Sequence, residues 1–239
     1  MSQVRKITSL SKLPPISLLI IEGSWGTGKT TVINVIKKIN NAEFLPEPNH
    51  LLHNIKRNVP DWYWQQHSQR LRKAIRLINS GTPVIMERSN LSNLAFSYAK
   101  DSSNLDDKHV DMLNGFMSRI MKIPGSAILY LDANNTLVNK GLEKLQDPTV
   151  KVSIKNKTLL IRRYRDFFLN HLPTFAGGIN IYSLSTSNSS LNKLREKSDE
   201  VCSASIAFIN NQILILYDKS YNHFVFPQGH LECGEQPLE

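Results

Sequence analysis

Cysteine is nearly absent: the 239 residues hold two, Cys202 and Cys233, with neither metal-site spacing nor a disulfide framework. Both read as small buried apolar residues. Long apolar runs are lacking too, since the early stretch Ile16–Ile21 falls far short of a membrane span. The N-terminal "MSQVRKITSLSKLPP" has charge where a signal peptide needs an apolar centre, so the expected address is cytoplasmic, with no membrane partner. No repeat or low-complexity tract is present, which excludes solenoid and fibrous designs. Acidic residues are scarce, 20 against 29 Lys and Arg, for a net charge of +9. The shortage is uneven. The first 200 residues carry 28 basic and 16 acidic side chains (+12), whereas residues 201–239 carry one lysine and four acids (−3). A basic first part suits an anionic partner, either nucleotide phosphates or a nucleic acid backbone, and charge alone does not choose.

What is present is a regular alternation of short apolar runs with helical patterns. It predicts an α/β fold with a parallel, five-stranded sheet flanked by helices. The expected strands are Ser17–Glu22, a short one near Glu43–Leu45, Pro83–Glu87, Ile128–Asp132 and Asn180–Leu184. Helices are expected over Lys29–Asn40, Asp61–Ser80, Asp107–Lys122, Thr136–Leu145, Lys157–His171 and Ser189–Ser198, with Gly81, Pro124 and Pro173 as stop signals. From Val201 the texture turns to hairpins: "VCSASIAFI", "QILILY" and "HFVF" read as strands, the first two joined at Asn210-Asn211. Two domains are expected, 1–199 and 200–239.

The chemistry starts at "SLLIIEGSWGTGKTTVINVI". Gly23, Gly28, Lys29 and Thr30 satisfy G-x-x-x-x-G-K-[ST] between a strand and a helix. The loop Gly23, Ser24, Trp25, Gly26, Thr27, Gly28, Lys29, Thr30 and Thr31 is expected to bind ATP. Its glycines let successive N–H groups face phosphates, Lys29 reaches the β- and γ-phosphates, and Thr30 can ligate Mg²⁺. A GTPase would show N-K-x-D, and Asn139-Lys140-Gly141-Leu142 lacks the acid. An ATP-driven motor stays open, because "AILYLD" ends on a carboxylate at Asp132 that could organise a metal.

Three more stretches narrow the choice: "LPEPN" (Leu45–Asn49), "DWYWQQHSQR" (Asp61–Arg70) and "VIMERSNLSNLAFSYAK" (Val84–Lys100). In this order, with the phosphate loop before them, they resemble the deoxynucleoside kinase and thymidylate kinase superfamily over roughly residues 16–198. The resemblance implies a sheet order of 2-3-1-4-5 and transfer of the ATP γ-phosphate to a nucleoside or nucleoside monophosphate such as dTMP. It implies that Glu47 takes the proton of a 5′-hydroxyl, that Arg88 contacts phosphate oxygens, and that Glu87 holds Mg²⁺ directly or through water. Trp62, Tyr63 and Trp64 offer faces for a base, and Gln65 or Gln66 can bond its edge. These three aromatics are consecutive, so one helical face cannot hold all of them and at least one packs in the core. The blander reading of Glu87-Arg88-Ser89 is a strand end with Ser89 or Asn90 capping a helix. The histidines His50, His53, His67 and His109 form no ligand pattern.

Between the two acceptor classes, "PEP" and "ERS" lean toward nucleoside. The resembling thymidylate kinases place arginines at the positions that Pro46 and Gln66 occupy here, which argues against dTMP, with Arg70 or Arg72 as the available substitutes. Where the resembling families carry lid arginines, this sequence offers Lys140, Lys144 and Lys151, so either catalysis is expected to be weak or Arg162 and Arg163 supply the clamp. The partner is a small molecule rather than nucleic acid, and a homodimer is compatible with the resemblance.

The end of the chain, "FPQGHLECGEQPLE", resembles the start of a Nudix box, with Gly229 and Glu235 at its first two fixed positions. The glutamates that would bind Mg²⁺ follow later in that pattern, so a kinase–Nudix fusion is expected, and no pyrophosphate hydrolysis by these residues alone. The rivals are a nucleotide-binding regulator, a nucleic-acid-binding ATPase, and a degenerate kinase serving as a sensor for an attached Nudix domain.

Overall fold

The computed structural model describes residues 3–39, 42–48, 59–100, 104–134, 136, 138 and 157–187, and six short strands within 202–230. The chain divides into two compact units, Met1–Asn192 and Lys193–Glu239, against a sequence-expected boundary at 199/200.

The first unit is a parallel sheet of six strands. They are β1 (Val4–Ile7), β2 (Leu18–Glu22), β3 (Glu43–Leu45), β4 (Val84–Glu87), β5 (Ser126–Ala133) and β6 (Asn180–Thr186), in the spatial order β1-β6-β5-β2-β4-β3. The five expected strands keep their expected order. The correction is the sixth strand: β1 pairs parallel with β6, Val4 opposite Ile181 through Ile7 opposite Leu184. Its sequence, VRKI, carries two cations in four residues, a composition suited to a sheet edge and unlike the buried runs elsewhere. Central β2, LLIIE, is buried at every position, as a strand covered on both faces must be.

The helices are α1 (Lys29–Ile39), α2 (Val59–Asn79), α3 (Asn90–Lys100), α4 (Asp107–Met121) and α5 (Lys157–Asp166), the last running on into a wide turn at Phe167–His171. Helix α3 is not among the helices expected from the sequence; only the cap reading at Ser89 or Asn90 anticipates it. Of the expected helix Thr136–Leu145 only Thr136 and Val138 are described, both helical, and Ser189–Ser198 lies outside the described residues. One large core joins Ile20, Met86, Ile128 and Ile181 of the sheet to Leu71 of α2, Leu94 and Tyr98 of α3, Phe116 of α4 and Phe167 of the wide turn after α5.

The sheet order reverses around β2, whose neighbours are β4 and β5. In open parallel sheets the crevice beyond the strands' carboxyl ends at such a reversal is where ligands bind. Here it lies at Glu22–Gly23 and Glu87–Arg88.

In the second unit, β7 (Cys202–Ala204) pairs antiparallel with β12 (Gln228–His230), β8 (Phe208–Ile209) with β9 (Gln212–Ile213), and β10 (Leu216–Asp218) with β11 (His223–Val225). The expected turn at Asn210-Asn211 lies outside the described residues, between the paired β8 and β9.

Candidate active site

The phosphate loop leaves β2 and enters α1. Three glycines take positive φ: Gly23 (154°), Gly26 (72°) and Gly28 (86°). Gly23 also has no room for a side chain, because a Cβ there would stand 2.7 Å from Thr27 Oγ1 and 3.2 Å from the Leu131 carbonyl oxygen. Gly23→Ala should therefore open the loop and weaken ATP binding at least tenfold. Isothermal titration of ATP into the two proteins checks this.

Lys29 is buried inside the loop, where its Nζ donates to the carbonyls of Gly23 at 3.2 Å and Ser24 at 2.9 Å. Thr27 closes the turn by donating to Ser24 O at 3.1 Å, and Thr186, from the end of β6, donates to Thr27 O at 3.1 Å. Burial, reinforced by the nearby Arg88 charge, pushes the Lys29 ammonium down to about 7 against the pull of Glu47, Glu87 and Glu22. The charged form is thereby disfavoured near neutral pH. A polyphosphate favours the charged form, so its binding takes up a proton. Affinity for ATP should fall as pH rises from 7.5 to 8.5, approaching tenfold per unit, in a range above the terminal phosphate's own titration near about 6. Titration calorimetry in buffers of different ionisation enthalpy reads the proton uptake directly.

Arg88 stands one residue beyond β4. It is the one non-glycine residue with positive φ (57°) among those described. Such a conformation costs on the order of 1 kcal/mol and persists only where its surroundings impose it. They do so here. The Arg88 N–H donates to Ile21 O at 3.0 Å, and Nε donates to Glu47 Oε2 at 3.0 Å. Nη1 donates to Tyr164 Oη at 3.1 Å and to Ser92 Oγ at 3.4 Å, and the guanidinium lies 5.7 Å from the centre of the Trp25 ring. Burial works against the Arg88 charge, but Glu47, Tyr164 and Glu22 together outweigh it and hold the guanidinium firmly protonated.

Glu22 is fully buried at the end of β2. Ser89 Oγ donates to its Oε1 at 2.8 Å and Ser92 Oγ to its Oε2 at 2.5 Å. Burial raises its carboxyl, opposed by Arg88 and the two hydroxyls. The cap reading of Ser89 holds as well, since its Oγ accepts from Leu91 N at 3.2 Å at the start of α3.

Lys29, Glu47, Arg88 and Glu87 thus gather at the ends of β2, β3 and β4, and the Glu47 N–H approaches Glu87 Oε2 at 3.5 Å. Thr30 is exposed on the first turn of α1 and Thr31 half-buried. Among the described residues no three His, Cys, Asp or Glu side chains cluster as a metal site, and no helix is long and apolar enough to cross a membrane.

The residues expected around a base are less tightly gathered. Trp62 packs edge-on against Tyr63, and Tyr63 stacks on buried His67. Trp64 packs against the main core and lines a cavity of about 330 Å³ with Ser68, Asn90, Met112 and Phe116, so it is the aromatic that serves packing. Gln65 is exposed and Gln66 half-buried. Arg70 is not available as a phosphate ligand. Its Nη2 donates to Leu45 O and Glu87 O, each at 2.6 Å, and its Nη1 bonds His67 Nδ1 at 2.7 Å, which braces the ends of β3 and β4. Burial and the Arg70 charge push His67 well down, so it is neutral.

On α5, Arg163 is tied to Ala99 O at 3.2 Å, whereas Arg162 is exposed. Arg165 grips Asp132 with two bonds of 2.6 and 2.8 Å, which engages the carboxylate a motor ATPase would use for its metal. Lys140, Lys144 and Lys151 lie outside the described residues.

Three site residues escape the sequence reading: Glu22, Ser92 and Tyr164. Trp25, unexplained in the sequence, meets Phe96 at 6.2 Å, Tyr164 at 6.3 Å and the Arg88 guanidinium.

A family model described as deoxynucleoside kinase matches residues 19–210. The chain belongs to the deoxynucleoside kinase family. The match runs from the second residue of β2 through β6 and ends inside the hairpin segment. No curated relative matches by sequence. Among solved structures, deoxyadenosine kinase from M. mycoides with bound dATP superposes with a TM-score of 0.50 at 16% identity, over 75% of this chain and 97% of that one. The same enzyme with its products dCMP and a flexible dCDP bound gives the same TM-score, identity and coverage. At that identity the likeness speaks for the fold. The deoxynucleoside kinase fold, an α/β parallel sheet flanked by helices, is therefore shared, with phosphorylation of a nucleoside by ATP as the family's activity.

Proposed function

We propose that the chain transfers the ATP γ-phosphate to the 5′-hydroxyl of a deoxynucleoside, with Lys29 on the donor side, Glu47 on the acceptor side and Arg88 between them. The observation that carries this is the 3.0 Å bond from Arg88 Nε to Glu47 Oε2, made at the switch point one strand away from the phosphate loop. A carboxylate placed there can accept a hydroxyl proton, and the guanidinium beside it can neutralise the charge that builds on the moving phosphoryl group. Engagement of Arg70 by backbone carbonyls removes one of the two arginines available as a monophosphate ligand, which supports a nucleoside over a monophosphate. That the M. mycoides deoxyadenosine kinase holds dATP, dCMP and dCDP supports a deoxyribose acceptor and an ATP-type donor.

The hard oxygens of Thr30 and Glu87 fit Mg²⁺, which needs few protein ligands when phosphates supply the rest. Held there, Mg²⁺ would offset the charge of the phosphates. Glu22 is a poorer ligand, since both its oxygens already accept from serines. Trp62, Gln65 and Gln66 on α2 are the residues assigned to the base, and Arg162 is an exposed cation of α5 assigned to the lid side.

The second unit reads as the opening hairpins of a Nudix-like domain. Gly229 lies on β12 opposite Ser203, and Glu235 is outside the described residues.

Incubating the chain with Mg-ATP and a panel of deoxynucleosides and their monophosphates, with ADP release as the readout, tests the assignment. Release is expected with at least one deoxynucleoside, and release with monophosphates alone would overturn the acceptor class. DNA-stimulated ATP hydrolysis that weakens with salt would instead favour an ATPase using the +12 surface of the first 200 residues.

A further inference from the structure

Arg88 is held from two sides, and only one of them belongs to the reaction. Glu47 must take up the hydroxyl proton, so its bond to Nε is shared with the acceptor during transfer. The other side is a directed hydrogen-bond chain that the acceptor does not touch. Arg88 Nη1 donates to Tyr164 Oη at 3.1 Å, Tyr164 donates to Ser92 Oγ at 3.2 Å, and Ser92 donates to Glu22 Oε2 at 2.5 Å. Arg88 Nη1 also reaches Ser92 Oγ directly at the longer distance of 3.4 Å, and the chain ends on a carboxylate one residue before the phosphate loop. All four side chains are at least nine-tenths buried: Arg88 5%, Tyr164 1%, Ser92 7% and Glu22 0% exposed.

Packing does not account for the Tyr164 hydroxyl. Its ring meets Trp25 at 6.3 Å and Phe168 at 5.3 Å, contacts that a phenylalanine would keep. A hydroxyl at such a depth is costly unless bonded, and here it both accepts and donates. Burial raises Tyr164, so it remains a donor at every pH of interest. Helix α5 is in turn fixed to α3, where Tyr98 Oη donates to Asp166 Oδ2 at 2.7 Å and Arg163 to Ala99 O. The hydroxyl's position is therefore set by the helix pair and not by the substrate.

We propose that Tyr164 is a positioning residue for phosphoryl transfer: through its hydroxyl, Ser92 and Glu22, it fixes the Arg88 guanidinium beside the phosphate loop while Glu47 serves the acceptor. The proposal rests on the kinase reading above. Its consequence is a dependence of turnover, and not of ATP binding, on a residue 76 positions away from Arg88.

Tyr164→Phe tests it. The variant should lose about 10- to 100-fold in kcat, the loss typical of removing an outer group that orients a reacting one, with KM for ATP within about twofold of the parent. In an Arg88→Lys background the same change should cost less than about twofold, because a lysine has no Nη1 to orient. An unchanged kcat, or an equal loss in both backgrounds, would overturn the proposal. Ser92→Ala is the second variant should Tyr164→Phe not fold, with the same expectations. An activity-independent readout is the set of Arg88 guanidinium signals in ¹⁵N NMR. They should be sharp and resolved in the parent, as for a guanidinium that does not rotate, and broadened in Tyr164→Phe. Persistence of those signals in the variant counts against the proposal even if the parent phosphorylates no nucleoside. A silent parent would by itself sink the kinase reading.

Discussion

Lys29→Met should lower phosphoryl transfer by at least about 10²- to 10³-fold, the usual loss when a group that stabilises transition-state charge is removed. The same change should leave the melting temperature equal or higher. The two halves of that prediction come from one fact. Lys29 is buried within the loop and its charge is disfavoured there, as the fall to about 7 expresses. The unfolded chain carries that proton up to about pH 10.4, so between about pH 7 and 10.4 unfolding takes up a proton and stability rises with pH. Methionine fills the same space without that penalty, while giving up the bonds to Gly23 O and Ser24 O. Thermal melts at pH 7 and 9 separate the effects: the parent should gain stability between them and the variant should gain less. A variant that melts well below the parent would mean that the lysine chiefly holds the loop together.

Glu47→Gln should cut phosphorylation of a deoxynucleoside by about 10²- to 10⁴-fold, the range for loss of a positioned base. Glutamine keeps an oxygen for Arg88 Nε, so the geometry of the 3.0 Å contact can survive while the basicity does not. The pair is well shielded, with Glu47 20% and Arg88 6% exposed, so full removal of the side chain would also leave a buried cation short of a partner. For that reason the glutamine variant is the informative one. A monophosphate acceptor is already ionised and should lose little. Intact nucleoside phosphorylation in Glu47→Gln would remove Glu47 from the chemistry.

The parts of the fold that could be read from the sequence are those whose residues face one environment. Strand β2 is apolar up to Glu22 because both its faces are covered, and β4 up to Glu87 and β5 from Ala127 to Leu131 read the same way. Strand β1 could not be found so, because at the sheet edge Arg5 and Lys6 are exposed and break the apolar pattern. Helix α3 was hidden for the opposite reason. Its polar residues Asn90 and Ser92 are buried, turned to Trp64 O and Glu22, so its polar and apolar positions do not mark an outside and an inside.

The candidate site shows the same division. Loop glycines, Lys29 and the Glu87-Arg88-Ser89 triplet are adjacent in sequence, and their spacing betrays them. Glu22 looked like a strand end, because its partners Ser89 and Ser92 lie 67 and 70 residues away. Trp25 likewise gains its meaning from Phe96, Arg88 and Tyr164, which only the packing of α3 and α5 brings to it.

In the proposed reaction, donor and acceptor share one phosphoryl position between Lys29 and Arg88. The most direct test of this is the affinity of a deoxynucleoside joined through its 5′-oxygen to adenosine by a phosphate chain. By calorimetry this molecule should bind at least about 10²-fold more tightly than ATP, because the second half binds at the effective concentration the linkage sets. Lys29→Met and Arg88→Lys should each remove most of that gain. Binding no tighter than that of ATP, or a gain that survives Arg88→Lys, would contradict the account.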